Sequence, residues 1–333
     1  IIQANTRATS IEPNQDGSYT IRATEDQGWF KTKKHILHAG QVILAGGVLG
    51  TINLLLKMQK SPSGLPNLSP RLGEFIRTNS ESLIGVVSSR RDLDLSEGVA
   101  ITSILHTDDH SHLEPVRYAK GSGVFRLLGG PHAPAPTLWL RLAKAFYSLF
   151  RHPILWLKVL TVPDWAKHSQ ILLYMRSLEG TLSFRRMRSI FSLGRERMNT
   201  DIEANKAPAA FIPEASALAE KFASKVDGVT MNLWTETLMG TPSTAHILGG
   251  CCMGGSPEEG VINSEHQVYN YEGLYVIDGS AVSANPGVNP SLTITAMAER
   301  AMDKIPEKSD LSKEANQDSP EESSRDEAEP CAE

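Results

Sequence analysis

The sequence predicts an α/β fold, α+β overall, in which a second domain with a mixed sheet is inserted into a domain built on parallel strands. Residues 42–45 form a continuously apolar run that is followed by glycines and a helix-like segment. Residues 274–277, near the other end of the chain, repeat this pattern before another helix-like segment. Continuously apolar strands are typical of parallel sheets that are covered on both faces. Residues 58–240 lie between the two runs and have short apolar stretches and many prolines, which indicates a different architecture.

The composition is that of a globular protein with room for two domains. The chain has 333 residues, of which 40% are hydrophobic and 21% are charged. The net charge is −5, and residues 307–333 contribute ten Asp or Glu residues against three Lys or Arg residues. The rest of the chain is close to neutral, which excludes a basic nucleic-acid-binding surface. The tail 307–333 has few large apolar residues and is predicted to be disordered.

The cysteine count and the first residues bear on localisation. Three cysteines cannot form a disulfide framework and predict a reducing, cytoplasmic compartment. No uncharged apolar run of eighteen residues is present, so the sequence predicts no transmembrane helix. The chain begins with IIQANTRATSIEP, which has no methionine and no signal peptide and is typical of the inside of a sheet. We therefore expect a first segment, with any targeting signal, to precede it.

The first 45 residues are predicted to be β-structure. TRATSIEP and YTIRATED alternate, and the intervening NQDG contains the Asp16-Gly17 pair that favours a hairpin turn. KHILHAG and QVILAGG predict two further strands, and TINLLLKM predicts a helix after the glycines. A glycine turn between a strand and a helix is where α/β folds receive phosphates or flat cofactors.

The most regular pattern of the middle segment is PTLWLRLAKAFYSLFRHPILWLKVL. It predicts a helix with one apolar face and one mostly cationic face. The apolar face contains Trp139, Leu142, Ala143, Phe146, Leu149 and Phe150, and the opposite face contains Arg141, Lys144, Ser148 and Arg151. Pro153 is predicted to break the helix. Two interpretations stay open for residues 138–158, namely transient contact with a membrane surface or a lid or core helix.

The last predicted helix lies in NPGVNPSLTITAMAERAMDKI. Asn289 is placed to cap it, and Pro290 stands at its first position. Its core face is predicted to consist of Ile294, Met297, Ala298, Ala301 and Ile305. The N-terminus of a helix carries roughly half a positive charge and free N–H groups, so this end of the helix favours a negatively charged ligand.

The stretch HILGGCCMGG, residues 246–255, concentrates a histidine, two cysteines and four glycines. A zinc site usually contains C-x₂-C pairs, and a redox dithiol favours C-x-x-C beside a charge, whereas Cys251 and Cys252 are adjacent. We therefore predict no metal site and interpret both cysteines as small apolar residues of the core. LHTDDHSHLEP combines histidines and carboxylates, and we interpret it as a polar loop. Glycines let the backbone approach a ligand closely, so His246, which stands beside these glycines, is a candidate site residue.

Three segments together resemble the glucose–methanol–choline (GMC) flavoprotein oxidoreductases. They are QVILAGGVLGTINLLL, TAHILGGCCMG and GVINSEHQVYNYEGLYVIDGSAVSANPGVNPSLTITAMAERAM. The resemblance is strongest to the cholesterol-oxidase-like branch of the family and covers most of residues 1–306. It implies an FAD-binding, Rossmann-like domain formed by residues 1–57 and 241–306. Residues 58–240 would form the inserted substrate-binding domain, and residues 307–333 the tail.

The resemblance also implies roles for individual residues. His246 would face the hydroxyl of the substrate, and Asn289 would be its polar partner in catalysis. FAD would be bound by two groups of residues, which are Ala45, Gly46, Gly47, Gly50 and Thr51 in the first part of the chain, and Asp278, Gly279, Pro290 and Ser291 in the last part. The implied reaction is oxidation of the 3β-hydroxyl of a sterol, with hydride transfer to flavin N5 and with oxygen or another electron acceptor. No nucleic-acid partner is implied.

Two features depart from the family pattern. The strand–G-x-G-x-x-G–helix unit that holds the ADP half of FAD is absent from the sequence, so we expect it to precede these residues and expect residues 1–333 alone to be inactive. The glutamate that isomerises the steroid double bond is not found in DWAKHSQILLYMRSLEG, where Lys167 and His168 stand and Glu179 is interpreted as a turn residue. Isomerase activity is therefore not expected. A GMC dehydrogenase for another bulky alcohol and an inert lipid-binding relic stay open as alternatives.

Overall fold

The computed structural model describes residues 1–29, 31–188, 194–202 and 208–305. The strands are β1 Thr6–Pro13, β2 Tyr19–Asp26, β3 Thr32–Ala39, β4 Val42–Leu44, β5 Ile76–Arg77, β6 Ser82–Ser88, β7 Leu105–Asp108, β8 Ser111–Val116, β9 Gly129–Pro131, β10 Ser169–Arg176, β11 Thr181–Arg188, β12 Glu196–Asp201, β13 Gly228–Leu233 and β14 Leu274–Val276. The helices are α1 Gly47–Gln59, α2 Leu138–Arg151, α3 Pro153–Leu160, α4 Trp165–His168, α5 Pro213–Lys225, α6 Trp234–Met239 and α7 Ser291–Met302, and short 3₁₀ helices span Gly123–Leu128 and Gly279–Ala281. The prediction for residues 307–333 lies outside the described residues.

The first core lies around α1. β1, β2 and β3 form an antiparallel sheet, which confirms the predicted hairpin. β4 pairs in parallel with β14, so that Val42 lies opposite Leu274. Ile52 and Leu55 of α1 are fully buried in this core beside Val276 of β14. The parallel pairing predicted from the continuously apolar runs is therefore confirmed.

The largest sheet has the strand order β7-β8-β10-β6-β13-β9. Each of its pairings is antiparallel. The α/β class, α+β overall, is confirmed, but the mixed sheet predicted for residues 58–240 is wrong. β7 and β8 are joined by a short turn, which parallel neighbours do not allow. The remaining neighbours are also antiparallel, although the connections between them are long.

The two faces of the six-stranded sheet pack against different helices. Ile84 and Val86 of β6 lie in a core cluster with α5. Val87 of β6 lies in a separate cluster with Trp156 of α3 and Trp165 of α4. Successive residues of a strand point to opposite faces, so the odd-numbered residues of β6 face α3 and α4.

Residues from the middle of the chain also enter the first core. Leu65, Leu72 and Phe184 are buried there beside Ile52. β12, β11 and β5 form a further three-stranded antiparallel sheet, and β11 contacts α1. The predicted domain boundaries after residues 57 and 240 stay a prediction.

Helix α2 has its apolar face on the outside. Trp139 is 78% exposed and Phe150 is 80% exposed, whereas Arg141 is buried. The apolar side of α2 therefore does not face a core, and its predicted polar face is the one that packs inward at Arg141 and Ala145. Trp156 of α3 does lie in a core cluster, and the interpretation of residues 138–158 as a lid stays a prediction. The break at Pro153 is confirmed, because α2 ends before it and α3 begins with it. None of the helices in the described part of the chain is long and apolar enough to span a membrane.

Helix α7 begins one residue later than predicted. Pro290 is its N-cap residue, and no side chain caps the helix, so the prediction that Asn289 caps it is wrong. The predicted core face is confirmed in its pattern, because Ile294, Met297, Ala298 and Ile305 are half-buried and Ala301 is fully buried.

Candidate active site

His246 is held by a buried carboxylate. Its Nδ1 lies 2.7 Å from Oε2 of Glu81, whose side chain is fully buried. Oε1 of Glu81 accepts hydrogen bonds from the Thr244 hydroxyl and from the backbone N–H groups of Ala245 and His246. Because a carboxylate only accepts hydrogen bonds, Nδ1 carries the proton of the neutral imidazole and Nε2 keeps its lone pair. The His246 side chain is 15% exposed, so Nε2 is the nitrogen that can meet a substrate.

A strained segment immediately precedes Glu81. Asn79 and Ser80 have φ values of 54° and 44°, a left-handed conformation that costs a non-glycine residue on the order of 1–3 kcal/mol and persists only where the surroundings impose it. Here the side chain of Asn79 donates a hydrogen bond of 2.8 Å to the backbone oxygen of Val288. Val288 precedes Asn289, so the segment that carries Glu81 also fixes the backbone beside the second predicted catalytic residue.

Asn289 is held by a second buried carboxylate. Its amide Nδ2 donates to Oε2 of Glu114 over 2.7 Å, and Glu114 is buried on β8. The other oxygen, Oε1, lies 3.5 Å from Nε2 of His112. Burial lowers the pKa of His112, although the neighbouring Glu114 acts in the opposite direction, so His112 is a neutral neighbour at pH 7. This contact explains why Asn289 does not cap α7.

Both carboxylates belong to one face of the six-stranded sheet. Leu173 of β10 lies opposite Leu83 of β6 on one side and opposite Glu114 of β8 on the other. Directly paired residues share a face of the sheet, and neighbouring strands lie roughly 5 Å apart. Glu114 is therefore about 10 Å from Leu83 along this row. Glu81 immediately precedes β6 and, by the alternation of the strand, belongs to the same face.

The same face contains an apolar cavity of about 210 Å³. It is lined by Leu83, Gly85, Tyr118, Leu128, Gly129, Trp165, Ile171, Met231, Asn232 and Leu233. Leu83 belongs both to this lining and to the row that leads to Glu114. A larger open groove of about 990 Å³ borders β1 and the β2–β3 turn, but none of the predicted site residues lines it. The sheet thus brings the polar pair and an apolar cavity to one side.

The adjacent cysteines belong to the interior. Cys251 and Cys252 are buried free thiols, and Cys251 lies in the first core. Burial raises the pKa of the Cys251 thiol, which makes it a poor nucleophile and a poor metal ligand. Within residues 1–29, 31–188, 194–202 and 208–305, no group of three or more His, Cys, Asp or Glu side chains is arranged to hold a metal ion. The packing interpretation of both cysteines is confirmed.

Two of the residues predicted to bind the cofactor are in direct contact. Thr51 of α1 donates a hydrogen bond of 2.6 Å to Oδ2 of Asp278, which joins the two parts of the predicted FAD-binding domain. Oδ1 of Asp278 accepts from the backbone N–H of Ser280, and Gly279 hydrogen-bonds through its carbonyl to the N–H of Gly249. The strand end at Asp278 is thereby attached to the segment that carries His246.

Two helix N-termini next to these residues lack the usual side-chain partners. Neither α1 nor α7 has a side-chain cap or an acidic residue in its first turn. A Cβ atom added at Gly47 or Gly50 would meet nothing within 4 Å, so the glycine turn faces open space, and Ser291 at the start of α7 is exposed. Uncapped helix N-termini bind anions through their free N–H groups. These positions therefore fit the phosphates and the electron-accepting ring of a flavin dinucleotide.

The sequence prediction missed Glu81 and Glu114. The sequence predicts no carboxylate partner for His246 or Asn289, and the glutamate of the isomerisation is looked for only in DWAKHSQILLYMRSLEG, which contains α4 and β10. Glu114 lies on β8, the strand paired with β10. LHTDDHSHLEP was interpreted as a polar loop, which is wrong, because it forms the hairpin of β7 and β8. Glu179, interpreted as a turn residue, lies outside the strands and pairs with Arg77. A charged residue inside an apolar strand such as HLEPV is the signal that would have pointed to Glu114.

Residues 161–298 match the sequence model of the GMC oxidoreductases, which confirms the predicted resemblance to this family. It is 37% identical over 319 residues to a cholesterol oxidase from Acinetobacter baumannii, with 94% of this chain and 57% of the relative covered. A cholesterol oxidase from Mycobacterium tuberculosis is also 37% identical, over 95% of this chain and 55% of the relative. The chain thus spans a little over half the length of these relatives.

A solved structure shows the same fold. The chain superposes on pyridoxine 4-oxidase from Mesorbium loti with a TM-score of 0.54 and 13% identity, over 90% of this chain and 57% of that one. At this identity the likeness concerns the fold alone. Together with the family match, it confirms the predicted resemblance to GMC flavoproteins.

Proposed function

We propose that the protein contributes the catalytic residues of an FAD-dependent oxidation of the 3β-hydroxyl of a sterol. The proposal depends on one observation, namely that two buried carboxylates hold the two predicted catalytic residues. Glu81 holds His246 by Nδ1, and Glu114 holds Asn289 by its amide, on the face of the sheet that contains an apolar cavity. A proton acceptor and a hydrogen-bond donor beside an apolar volume suit an alcohol with a large hydrocarbon body.

The cofactor would be held by the residues around the two uncapped helix N-termini. Gly46, Gly47 and Thr51 border the nucleotide side, and Asp278 and Ser291 border the flavin side. When bound, FAD would supply the acceptor for the hydride that leaves the carbinol carbon. The α7 N-terminus carries roughly half a positive charge and favours an electron-rich ring beside it.

The chain itself would move the proton. Nε2 of His246 accepts the hydroxyl proton, and the imidazolium that forms remains hydrogen-bonded to the carboxylate of Glu81. A positioned base of this kind contributes about 10²–10⁴-fold to a rate. Asn289 positions the substrate oxygen next to His246, and Glu114 fixes the amide that does so. Glu81 and Glu114 are thus positioning residues, because each acts through its hydrogen-bonded neighbour.

The apolar cavity supports a hydrophobic alcohol as the substrate. Its lining is apolar except for the side chains of Tyr118, Trp165 and Asn232, so a small polar alcohol would lose hydration there without gaining partners. Its volume of about 210 Å³ is below the roughly 300–1,000 Å³ of most ligand pockets. A four-ring substrate would therefore require outward movement of the covering segment that contains Leu128. The relatives named cholesterol oxidase support this substrate class.

We further expect residues 1–333 alone to hold FAD weakly. No G-x-G-x-x-G string occurs in the sequence, and this motif normally binds the pyrophosphate of the dinucleotide. Adding to the chain an N-terminal strand–G-x-G-x-x-G–helix unit should restore yellow colour and turnover together. Stoichiometric FAD binding and sterol turnover by residues 1–333 would contradict this expectation.

The test of the proposed function uses the chain extended by this N-terminal unit and loaded with FAD, referred to below as the FAD-loaded protein. Three alcohols are compared: cholesterol, a long straight-chain primary alcohol and a small diol. We expect cholesterol to reduce the flavin fastest and to yield the 3-ketone. Release of peroxide in air would identify an oxidase, and its absence would identify a dehydrogenase with another acceptor. Faster reduction by the straight-chain alcohol would contradict the sterol assignment, and no reduction by any alcohol would contradict the function as a whole.

A further inference from the structure

One stretch of the chain has a charge unlike that of the whole protein. Residues 115–163 contain seven Lys or Arg residues and no Asp or Glu, although the full chain has a net charge of −5. Lys120, Lys144, Arg151 and Lys158 are exposed within this stretch. A cationic surface of this kind attracts anionic partners over about a Debye length.

The same stretch exposes large apolar side chains. Trp139, Phe146 and Phe150 recur along one side of α2 and are 78%, 55% and 80% exposed. Ile154 and Leu157 of α3 are also mostly exposed. Aromatic and aliphatic side chains next to Lys and Arg on an amphipathic helix are typical of helices that lie in a membrane interface.

The outward direction of this apolar side is fixed by the structure. Arg141 is buried on the opposite side of α2, where its guanidinium donates hydrogen bonds to the backbone oxygens of Ala135, Thr237 and Leu238. Turning the apolar side inward would break these hydrogen bonds and move the Arg141 guanidinium out of the interior into water. The exposure of Trp139 is therefore a fixed property of the fold.

The exposed surface continues to the mouth of the apolar cavity. The 3₁₀ helix Gly123–Leu128 contacts α4, and Arg126 within it donates to the backbone oxygens of Leu160 and Val162 at the end of α3. Leu127 and Leu128 of this helix are exposed, and Leu128 also lines the cavity. A hydrophobic molecule bound at this surface would thus lie next to a segment that lines the cavity.

We propose that the exposed surface along residues 124–128 and 138–160 docks on an anionic lipid bilayer, with Trp139, Phe146 and Phe150 in the interface and the exposed cations on the headgroups. Charge complementarity selects this occupant, because the stretch is cationic throughout and an apolar protein partner would not require that. Docking would deliver a bilayer-dissolved substrate to the cavity without passage through water. This role extends the proposed function, but docking itself requires neither cofactor nor turnover.

The experiment measures binding of the protein to sedimentable vesicles of phosphatidylcholine alone and of phosphatidylcholine with phosphatidylglycerol at 7:3. We expect binding to the anionic vesicles and its loss when the salt concentration is raised severalfold. Each surface cation contributes about fivefold to such partitioning. Arg151→Gln with Lys158→Gln should therefore weaken binding about 25-fold, and Trp139→Ser with Phe150→Ser at least about tenfold.

Two control variants use residues outside this surface. Lys33→Gln with Lys34→Gln on the exposed strand β3 removes the same charge, and Trp29→Ser removes another exposed tryptophan; both should bind like the unaltered protein. Failure to bind anionic vesicles, or equal loss in surface and control variants, would overturn the proposal. A dimer that becomes a monomer in the Trp139 and Phe150 variant, without lipid binding, would show that a second copy covers the surface. Because no alcohol is added, failure here is distinct from failure of the proposed oxidation.

Discussion

Replacing Glu81 by glutamine tests the role of the carboxylate behind His246. The substitution keeps the shape of the side chain and removes its charge. Glu81 is fully buried and makes a 2.7 Å bond to Nδ1, and a hydrogen bond to a charged group contributes about 1.5–3 kcal/mol. If this bond stabilises the imidazolium that forms during the reaction, its loss slows flavin reduction about 10- to 150-fold. The assay is the anaerobic reduction of the FAD-loaded protein by cholesterol in a single turnover.

A double-mutant cycle separates positioning from general damage to the fold. Glu81→Gln should have little effect on the residual rate of His246→Ala, because the carboxylate acts through the imidazole. Glu236→Gln is the matched control, since Glu236 is also buried and is hydrogen-bonded to Asn232 and to the backbone of Ser243. It should lower stability without the specific loss of rate. Equal rate losses from Glu81→Gln with and without His246 would refute the assigned role.

Three further predictions concern Asn289, the two adjacent cysteines and His132. Asn289→Ala should slow flavin reduction at least about tenfold and destabilise the fold by about 1–3 kcal/mol, because it leaves the Glu114 carboxylate without its amide donor; unchanged kinetics and unfolding would contradict the site. Cys251→Ala and Cys252→Ala, made singly, should keep turnover within a few-fold, and the thiols should react with iodoacetamide only after unfolding; binding of about one zinc per chain would contradict the packing role. Burial lowers the pKa of His132 from 6.5 to about 4, so the folded state favours the neutral ring. The free energy of unfolding therefore has its full value above about pH 6.5 and decreases as the pH falls from there towards 4. At pH 5 this decrease is about 2 kcal/mol. Urea titrations at pH 7 and pH 5 should show that His132→Gln no longer loses this free energy between the two pH values, whereas an unchanged pH dependence in the variant would refute the role of His132.

The elements that the sequence predicts well are those whose pattern depends on local chemistry. The hairpin of β1 and β2 follows from alternation and the Asp16-Gly17 turn, and the break between α2 and α3 follows from Pro153. The parallel pair β4 and β14 follows from continuous apolar runs that only a covered sheet accommodates. Each of these signals lies within about ten residues of the chain.

The errors concern features that depend on distant residues. The apolar side of α2 faces outward because Arg141, on the opposite side, donates hydrogen bonds to backbone oxygens of residues 135–136 and 237–238. Helical periodicity does not predict which side of a helix is covered. Asn289 has the chemistry of a cap but donates to Glu114, which is 175 residues away in sequence. Glu81 lies 165 residues from His246. Such partners become visible only when the pairing of β6, β8 and β10 is known.

The most direct test of the central claim is the rate at which a sterol reduces the flavin of the FAD-loaded protein, measured without oxygen for the unaltered protein and for His246→Ala. We expect deuterium on the carbinol carbon to slow reduction in the unaltered protein, because the carbon–hydrogen bond breaks in that step. We expect His246→Ala to keep its FAD and to reduce it about 10²–10⁴ times more slowly. Reduction of the His246→Ala flavin at the unaltered rate would contradict the account.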